Sequence, residues 1–324
     1  MWALFLQFLP FFALVALGWA GTRGGLVPLA GIPALNVFVL YFGLPAMLFK
    51  LGASGALLQP GLGGLALVYA LAGVVVVGLA ACWARWQRWP RLDAAMAALA
   101  TTFPNTGFLG LPLLTGLLGT SAAGPLAATI LVDVLLFSTL CLAWGRPSGG
   151  TGPTAWRNPL LWSMAAGVAF WWMDGALPVP AARTVEALAQ AASPVALFTL
   201  GAILARAQHA AVERAHVQPA MAVDVGPANQ AVWGLVLLKL VLHPALVWGL
   251  GTAAMATGVP LTAEGLLALT MAAALPAASN VSMLAERLGS QAGAVARLIW
   301  WSTLFALLSL SGWAHSLGVV VKLP

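Results

Sequence analysis

"TTFPNTGFLGLPLL", residues 101–114, lies inside one of the most apolar runs of the chain, yet it holds Pro104, Asn105, Thr106, Gly107, Gly110 and Pro112. Proline removes a backbone donor and glycine loosens a helical turn, so these are poor residues for an unbroken membrane helix. An amide side chain at the same place makes the interruption harder to dismiss as a simple kink. The chain breaks a helix where breaking it costs most.

The composition supports the membrane setting. Hydrophobic residues make up 61% of the 324 positions and charged residues 7%. A soluble domain carries roughly 25% charged residues, so this chain cannot cover a water-facing surface. It reads as an integral membrane protein. The formal net charge of +6 therefore bears on orientation rather than on nucleic acid. Cys82 and Cys141 both fall in apolar runs, which implies no disulfide framework and no metal cluster. The first apolar stretch has no basic residue before it, and Arg23 follows it. That polarity is the reverse of a secretory signal, so the stretch counts as a span.

A spanning helix needs about 20 mostly apolar residues. Stretches of that kind lie near 3–20, 32–51, 62–83, 94–118, 122–144, 160–173, 184–204, 231–254, 266–285 and 293–317. The spacing predicts ten spans, the sixth a short one that starts at Asn158 as N-cap with Pro159 after it. Arg23, Arg85, Arg88, Arg91, Arg146, Arg157, Arg206, Arg214, Arg287 and Arg297 then fall on one side, whereas Lys50, Arg183 and Lys322 fall on the other. The arginine-rich side is predicted to be cytoplasmic, with both termini on the non-cytoplasmic side of the inner membrane.

Two segments repeat. "LPAMLFKLGA" (44–53) and "SPVALFTLGA" (193–202) share Pro-x-x-Leu-Phe-x-Leu-Gly-Ala and fall in spans 2 and 7. Five spans per half is an odd number, so the second half is inverted relative to the first. The expected division is a first repeat at 1–145, a short connection at 146–158 and a second repeat at 159–324. Inverted repeats are a recurring transporter architecture. In this register span 4 corresponds to span 9, where "MAAALPAASNVSMLAERL" (271–288) carries Pro276, Ser279 and Asn280. Interruptions at matching positions of both halves point to a transport site.

The physics of such a break suits a ligand. Unwound backbone leaves N–H and C=O groups that lipid cannot satisfy, so the break belongs where protein or a wet cavity satisfies them. Half-helix N-termini favour an anionic group, and Gly107 with Gly110 permits close approach to the backbone. Asn105 and Asn280 each add two donors and an acceptor without fixed charge. The expected substrate-binding set is Pro104, Asn105, Thr106, Gly107, Pro112, Pro276, Ser279 and Asn280.

"PNTGFLGLPLL" and "LPAASNVSMLAERLG" resemble the fourth- and ninth-helix signatures of the auxin efflux carrier family, and the two repeated segments are similar to that family's second and seventh helices. The resemblance implies an all-α protein of ten helices in a 5+5 inverted repeat, with helices 4 and 9 broken and crossing. It implies a scaffold of helices 1, 2, 6 and 7 and transport helices 3–5 and 8–10 that work by alternating access, of elevator type. Its substrates would be small organic anions: auxin in plant members, malonate and other carboxylates in bacterial ones. The short 145–158 connection resembles the bacterial branch, and a homodimer through scaffold helices is implied.

Three further polar residues lie in apolar runs: Asp133 in span 5, and Lys239 and His243 in span 8. A mid-membrane charge costs about 2.5–3.5 kcal/mol on insertion scales and usually has a partner. The depths of Asp133 and Lys239 differ by only about 5 Å, which predicts an Asp133–Lys239 pair. As an H+ or Na+ switch the pair would couple transport to an ion gradient. As a salt bridge it would only hold helices together, and both readings stay open here. Lys50, near a span end, is expected to snorkel to the interface, and the 15 tryptophans to form an interfacial belt. No HExxH, Walker loop, nucleophile elbow or cofactor motif occurs, so an enzyme is disfavoured. A passive channel remains the alternative to a gradient-driven carrier.

Overall fold

The structure is a computed structural model that describes residues 2–58, 61–145, 159–217, 225–290 and 292–319. The predicted connection at 146–158, including the Asn158 cap, lies outside these residues. Helices account for nearly everything described. In chain order they are α1 (Trp2–Arg23), α2 (Ile32–Phe38), α3 (Leu44–Ala53), α4 (Leu62–Trp86), α5 (Arg91–Thr102) and α6 (Leu111–Leu118). Next come α7 (Ala123–Val132), α8 (Ser138–Gly145), α9 (Pro159–Trp172), α10 (Val179–Val217), α11 (Val225–Leu237) and α12 (His243–Ala256). The chain closes with α13 (Ala263–Ala273), α14 (Asn280–Arg287) and α15 (Ala292–Ser316).

Among the described residues, six continuous stretches are long and apolar enough to cross a bilayer: Leu29–Ala53, Leu62–Trp86, Thr120–Gly145, Val179–Arg206, Ala231–Ala256 and Gly293–Ser316. The remaining apolar runs are shorter or interrupted. The run at 94–118 divides into α5 and α6, the run at 266–285 into α13 and α14, and α9 has 14 residues. The helix of span 7 outlasts its apolar run at 184–204, because α10 continues to Val217. Alanine-rich, charged sequence such as "ARAQHAAVERAHV" has high intrinsic helix propensity, and a helix needs no apolar face once it leaves the membrane.

Proline shapes several of these helix interiors. Among the described residues, wider turns with i→i+5 geometry occupy Val39–Gly43, Thr106–Gly110, Asp133–Phe137 and Leu238–Leu242, and all but the third end two residues before a proline: Pro45, Pro112 and Pro244. A proline ring clashes with the carbonyl four residues earlier and offers it no N–H. The wider turn makes room, and the freed carbonyl needs another donor. Two of those carbonyls find one on a different helix. Ser193 Oγ donates to the Phe108 carbonyl at 3.2 Å, and Ser309 Oγ and Trp313 Nε1 donate to the Leu240 carbonyl at 2.7 and 3.2 Å.

Four glycines explain which helices lie closest. A Cβ on Gly201 of α10 would meet the Val15 carbonyl oxygen of α1 at 2.0 Å, and one on Gly18 of α1 would meet the Phe198 carbonyl at 1.9 Å. Likewise a Cβ on Gly52 of α3 would meet the Met164 carbonyl of α9 at 2.5 Å, and one on Gly167 would meet the Phe49 carbonyl at 2.2 Å. Backbone lies directly on backbone, the packing that small residues permit in membranes where hydrophobic association is weak. The α3–α9 contacts reproduce the α1–α10 contacts at a single constant offset along the chain. Gly52 and Gly201 are the glycines of the two repeated segments.

Candidate functional site

The two interruptions meet. Phe103 ends α5 in an extended conformation (φ −78°, ψ 104°), as a residue before proline prefers. From there Pro104 and Ala277 form an antiparallel bridge. Asn105 N–H donates to the Pro276 carbonyl at 2.8 Å, and Ala278 N–H donates to the Phe103 carbonyl at 3.0 Å. The unwound backbone of one break thus satisfies that of the other, as a membrane interior requires. A third donor is quenched by Ser302 of α15, whose Oγ accepts from Ala277 N–H at 3.1 Å.

The expected site residues divide around this crossing. Pro104, Asn105, Gly107 and Asn280 line one small cavity, closed on the other side by Met47 and Leu160. It holds about 20 Å³ of free space, roughly one water molecule. Asn280 is buried, and its Oδ1 has no hydrogen-bond partner. The Ser279 hydroxyl next to it is fully buried and also unpartnered. Such atoms are costly unless something polar comes to them. Pro276 contributes its carbonyl to the bridge, and Thr106 turns away, its hydroxyl 3.4 Å from that of Thr129. The Pro112 side chain lies outside the described residues. Gly110, expected to admit a ligand, faces Leu275 instead: a Cβ there would meet Leu275 Cδ1 at 2.5 Å. Its smallness serves the packing of the crossing.

Asp133, Lys239 and His243 are brought into one fully buried cluster, yet the predicted Asp133–Lys239 contact is not made. Asp133 Oδ1 accepts from the Tyr69 hydroxyl at 2.8 Å, while Oδ2 has no partner. Lys239 Nζ instead donates to the carbonyls of Thr102 at 3.4 Å and Ala273 at 3.2 Å, and lies 3.4 Å from His243 Nδ1. Tyr69 joins the two groups, with its ring centroid 5.4 Å from that of His243. Lys239 thus sits at two helix C-termini, whose last carbonyls have no helical donor of their own and carry partial negative charge. Equal depth along two helices had suggested a pair, but depth says nothing about azimuth.

Several contributors carried no sequence signal. Tyr69 is one residue of the apolar run at 62–83, and Met47 had been read only as part of a repeat. Lys50 is ion-paired with Glu186 of α10, both half-exposed. At the opposite ends of these helices, Arg206 of α10 meets Glu286 of α14 at 2.7 Å, and Asn36 Nδ2 of α2 donates to the other Glu286 oxygen at 3.0 Å. Among the described residues no group of His, Cys, Asp and Glu could hold a metal ion.

With this geometry in hand, comparison with known proteins is specific. A family model described as "Membrane transport protein" matches residues 3–150 and 153–314. A protein of Rhizobium meliloti (strain 1021) named "Putative malonate transporter" is 28% identical over 323 residues, covering 94% of this chain and 92% of its own length.

Proposed function

The chain belongs to this membrane transport protein family, the auxin efflux carrier family, and from that premise we propose that it is a secondary active transporter of a small organic anion such as a dicarboxylate. It is a multi-pass membrane protein and not an enzyme. The observation that carries the proposal is the cavity at the two bridged helix breaks, lined by Asn105 and Asn280, whose amide N–H groups are the donors a carboxylate needs. The N-terminal turns after both breaks, at Thr106 and Asn280, lie beside it, and their dipoles favour negative charge. The R. meliloti relative's name makes malonate the first solute to test.

The architecture proposed for this work is ten spans in a 5+5 inverted repeat, 1–145 and 159–324, with helices 4 and 9 broken and crossing. The repeated glycine-to-carbonyl packing of α1 on α10 and α3 on α9 supports it. These four helices, with α2, form the scaffold, and the remainder carries the site past it in alternating access. The charge asymmetry of the sequence supports a cytoplasmic arginine-rich side, with both termini on the non-cytoplasmic side of the inner membrane. Coupling to H+ or Na+ would run through the cluster of Asp133, Lys239 and His243, and a homodimer would form through the scaffold.

The test is uptake of labelled malonate by proteoliposomes under imposed proton, sodium and substrate gradients. Accumulation above the external concentration is expected with one of these gradients. Flux that only equilibrates would make the protein a facilitator, and absence of flux for every small carboxylate would remove the proposed substrate class.

A further inference from the structure

The crossing sorts helix ends by sign. The N-terminal turns of the half-helices face the cavity, and the C-terminal ends of the other two half-helices, at Thr102 of α5 and Ala273 of α13, converge on the opposite side. Each C-terminus carries carbonyls without helical donors and a partial negative charge. Two such ends meeting in a membrane interior repel one another and need positive charge between them. Carbonyl oxygens converging in this way are the ligands with which proteins ordinarily hold hard cations.

A side chain already stands there. Lys239 is fully buried, and its Nζ is 3.2 Å from the Ala273 carbonyl, 3.4 Å from the Thr102 carbonyl and 3.4 Å from His243 Nδ1. These three neighbours match the three donors of an ammonium. Asp133 lies in the same buried cluster, held by Tyr69 and not in contact with Lys239. The wide turn Leu238–Leu242 that precedes Pro244 is what carries Lys239.

We propose that the junction of the two half-helix C-termini is a cation site filled by the protein's own Lys239 ammonium, a tethered ion that holds the crossing together without an inorganic one. The site's substrate-independent function is to neutralise the Thr102 and Ala273 helix ends. The proposal deepens the transporter reading, because a crossing so filled needs no metal ion for its integrity. It stands on geometry that does not depend on which solute is carried.

The experiment measures thermal unfolding of purified protein in lipid nanodiscs, with no solute present, so a failed transport assay has no bearing on it. Lys239→Ala should unfold several degrees below wild type. Propylammonium, which replaces the missing atoms, should restore at least half the loss, and tetramethylammonium should restore none. Recovery by sodium would support the site equally. Lys239→Met, which fills the space without charge, should stay low in every salt, and it serves alone if Lys239→Ala does not accumulate. A Lys239→Met protein as stable as wild type, or a Lys239→Ala protein that no small cation rescues, would overturn the proposal.

Discussion

The two helix breaks are built from the same residue types and held from different directions. The first, at Phe103–Asn105, leads into the wide turn Thr106–Gly110, and that turn touches α3 and α10. Ser193 of α10 donates to the Phe108 carbonyl, and a Cβ on Gly107 would meet the Met47 methyl of α3 at 2.7 Å. The second, at Ala274–Ser279, is tied inward: Ser302 of α15 caps the Ala277 N–H, and Ser282 Oγ donates to the Ser279 carbonyl. One break faces the α1–α3–α9–α10 frame across a replaceable contact. The other is anchored on α15 through Ser302. The difference teaches that matching interruptions need not do matching work.

The largest expected effect tests what the breaks share. Asn280→Ala removes the cavity-lining amide whose N–H groups would donate to the solute, and a hydrogen bond to a charged solute is worth about 1.5–3 kcal/mol, or roughly 10- to 150-fold in affinity. Carboxylate affinity should fall by that factor while Tm changes little, and Asn105→Ala should behave alike. Isothermal titration beside thermal unfolding reads both. Unchanged affinity with a large loss of stability would return the asparagines to a structural role.

The next effect should separate the breaks. Ser302→Ala leaves the Ala277 N–H without an acceptor in a buried place, at a cost of about 1–3 kcal/mol. Stability should drop, with the second break opening first in hydrogen exchange. Equal opening of the Phe103–Asn105 segment would show the two breaks to be one cooperative unit. A smaller change comes from the ion pair of Arg206 and Glu286, which are 26% and 17% exposed. Partial exposure limits such a pair to about 1 kcal/mol. Glu286→Gln should raise the labelling rate of a cysteine placed at the cavity residue Leu48 by about fivefold, and an unchanged rate would show that this pair does not gate the cavity. The smallest change belongs to Ser193→Ala, about 0.5 kcal/mol for a long bond. It should alter transport rate without altering affinity.

Much of this was legible in the chain, for identifiable reasons. Pro104, Asn105, Pro276 and Asn280 stand out because they contradict an apolar helical context, and the repeated Pro-x-x-Leu-Phe-x-Leu-Gly-Ala segments mark where backbones touch. Lys239 was visible as a charge, but its partners are main-chain carbonyls at Thr102 and Ala273, which no side-chain pattern encodes. Glu286, Arg206 and Asn36 come from three distant parts of the chain, and their meeting is set by tertiary packing. The same holds for Tyr69 and Asp133.

The glycine contacts of the frame also bear on how the protein is made. α1 emerges from the ribosome first, but the carbonyls that fit Gly18 and Gly201 come together only after α10 has been synthesised. α3 must likewise wait for α9. α1 and α3 therefore enter the bilayer with their small-residue faces turned to lipid. They cannot finish folding on their own, and native contacts of such long sequence separation form late. A ribosome stalled before α10 would leave an inserted but unassembled half, a candidate for membrane quality control.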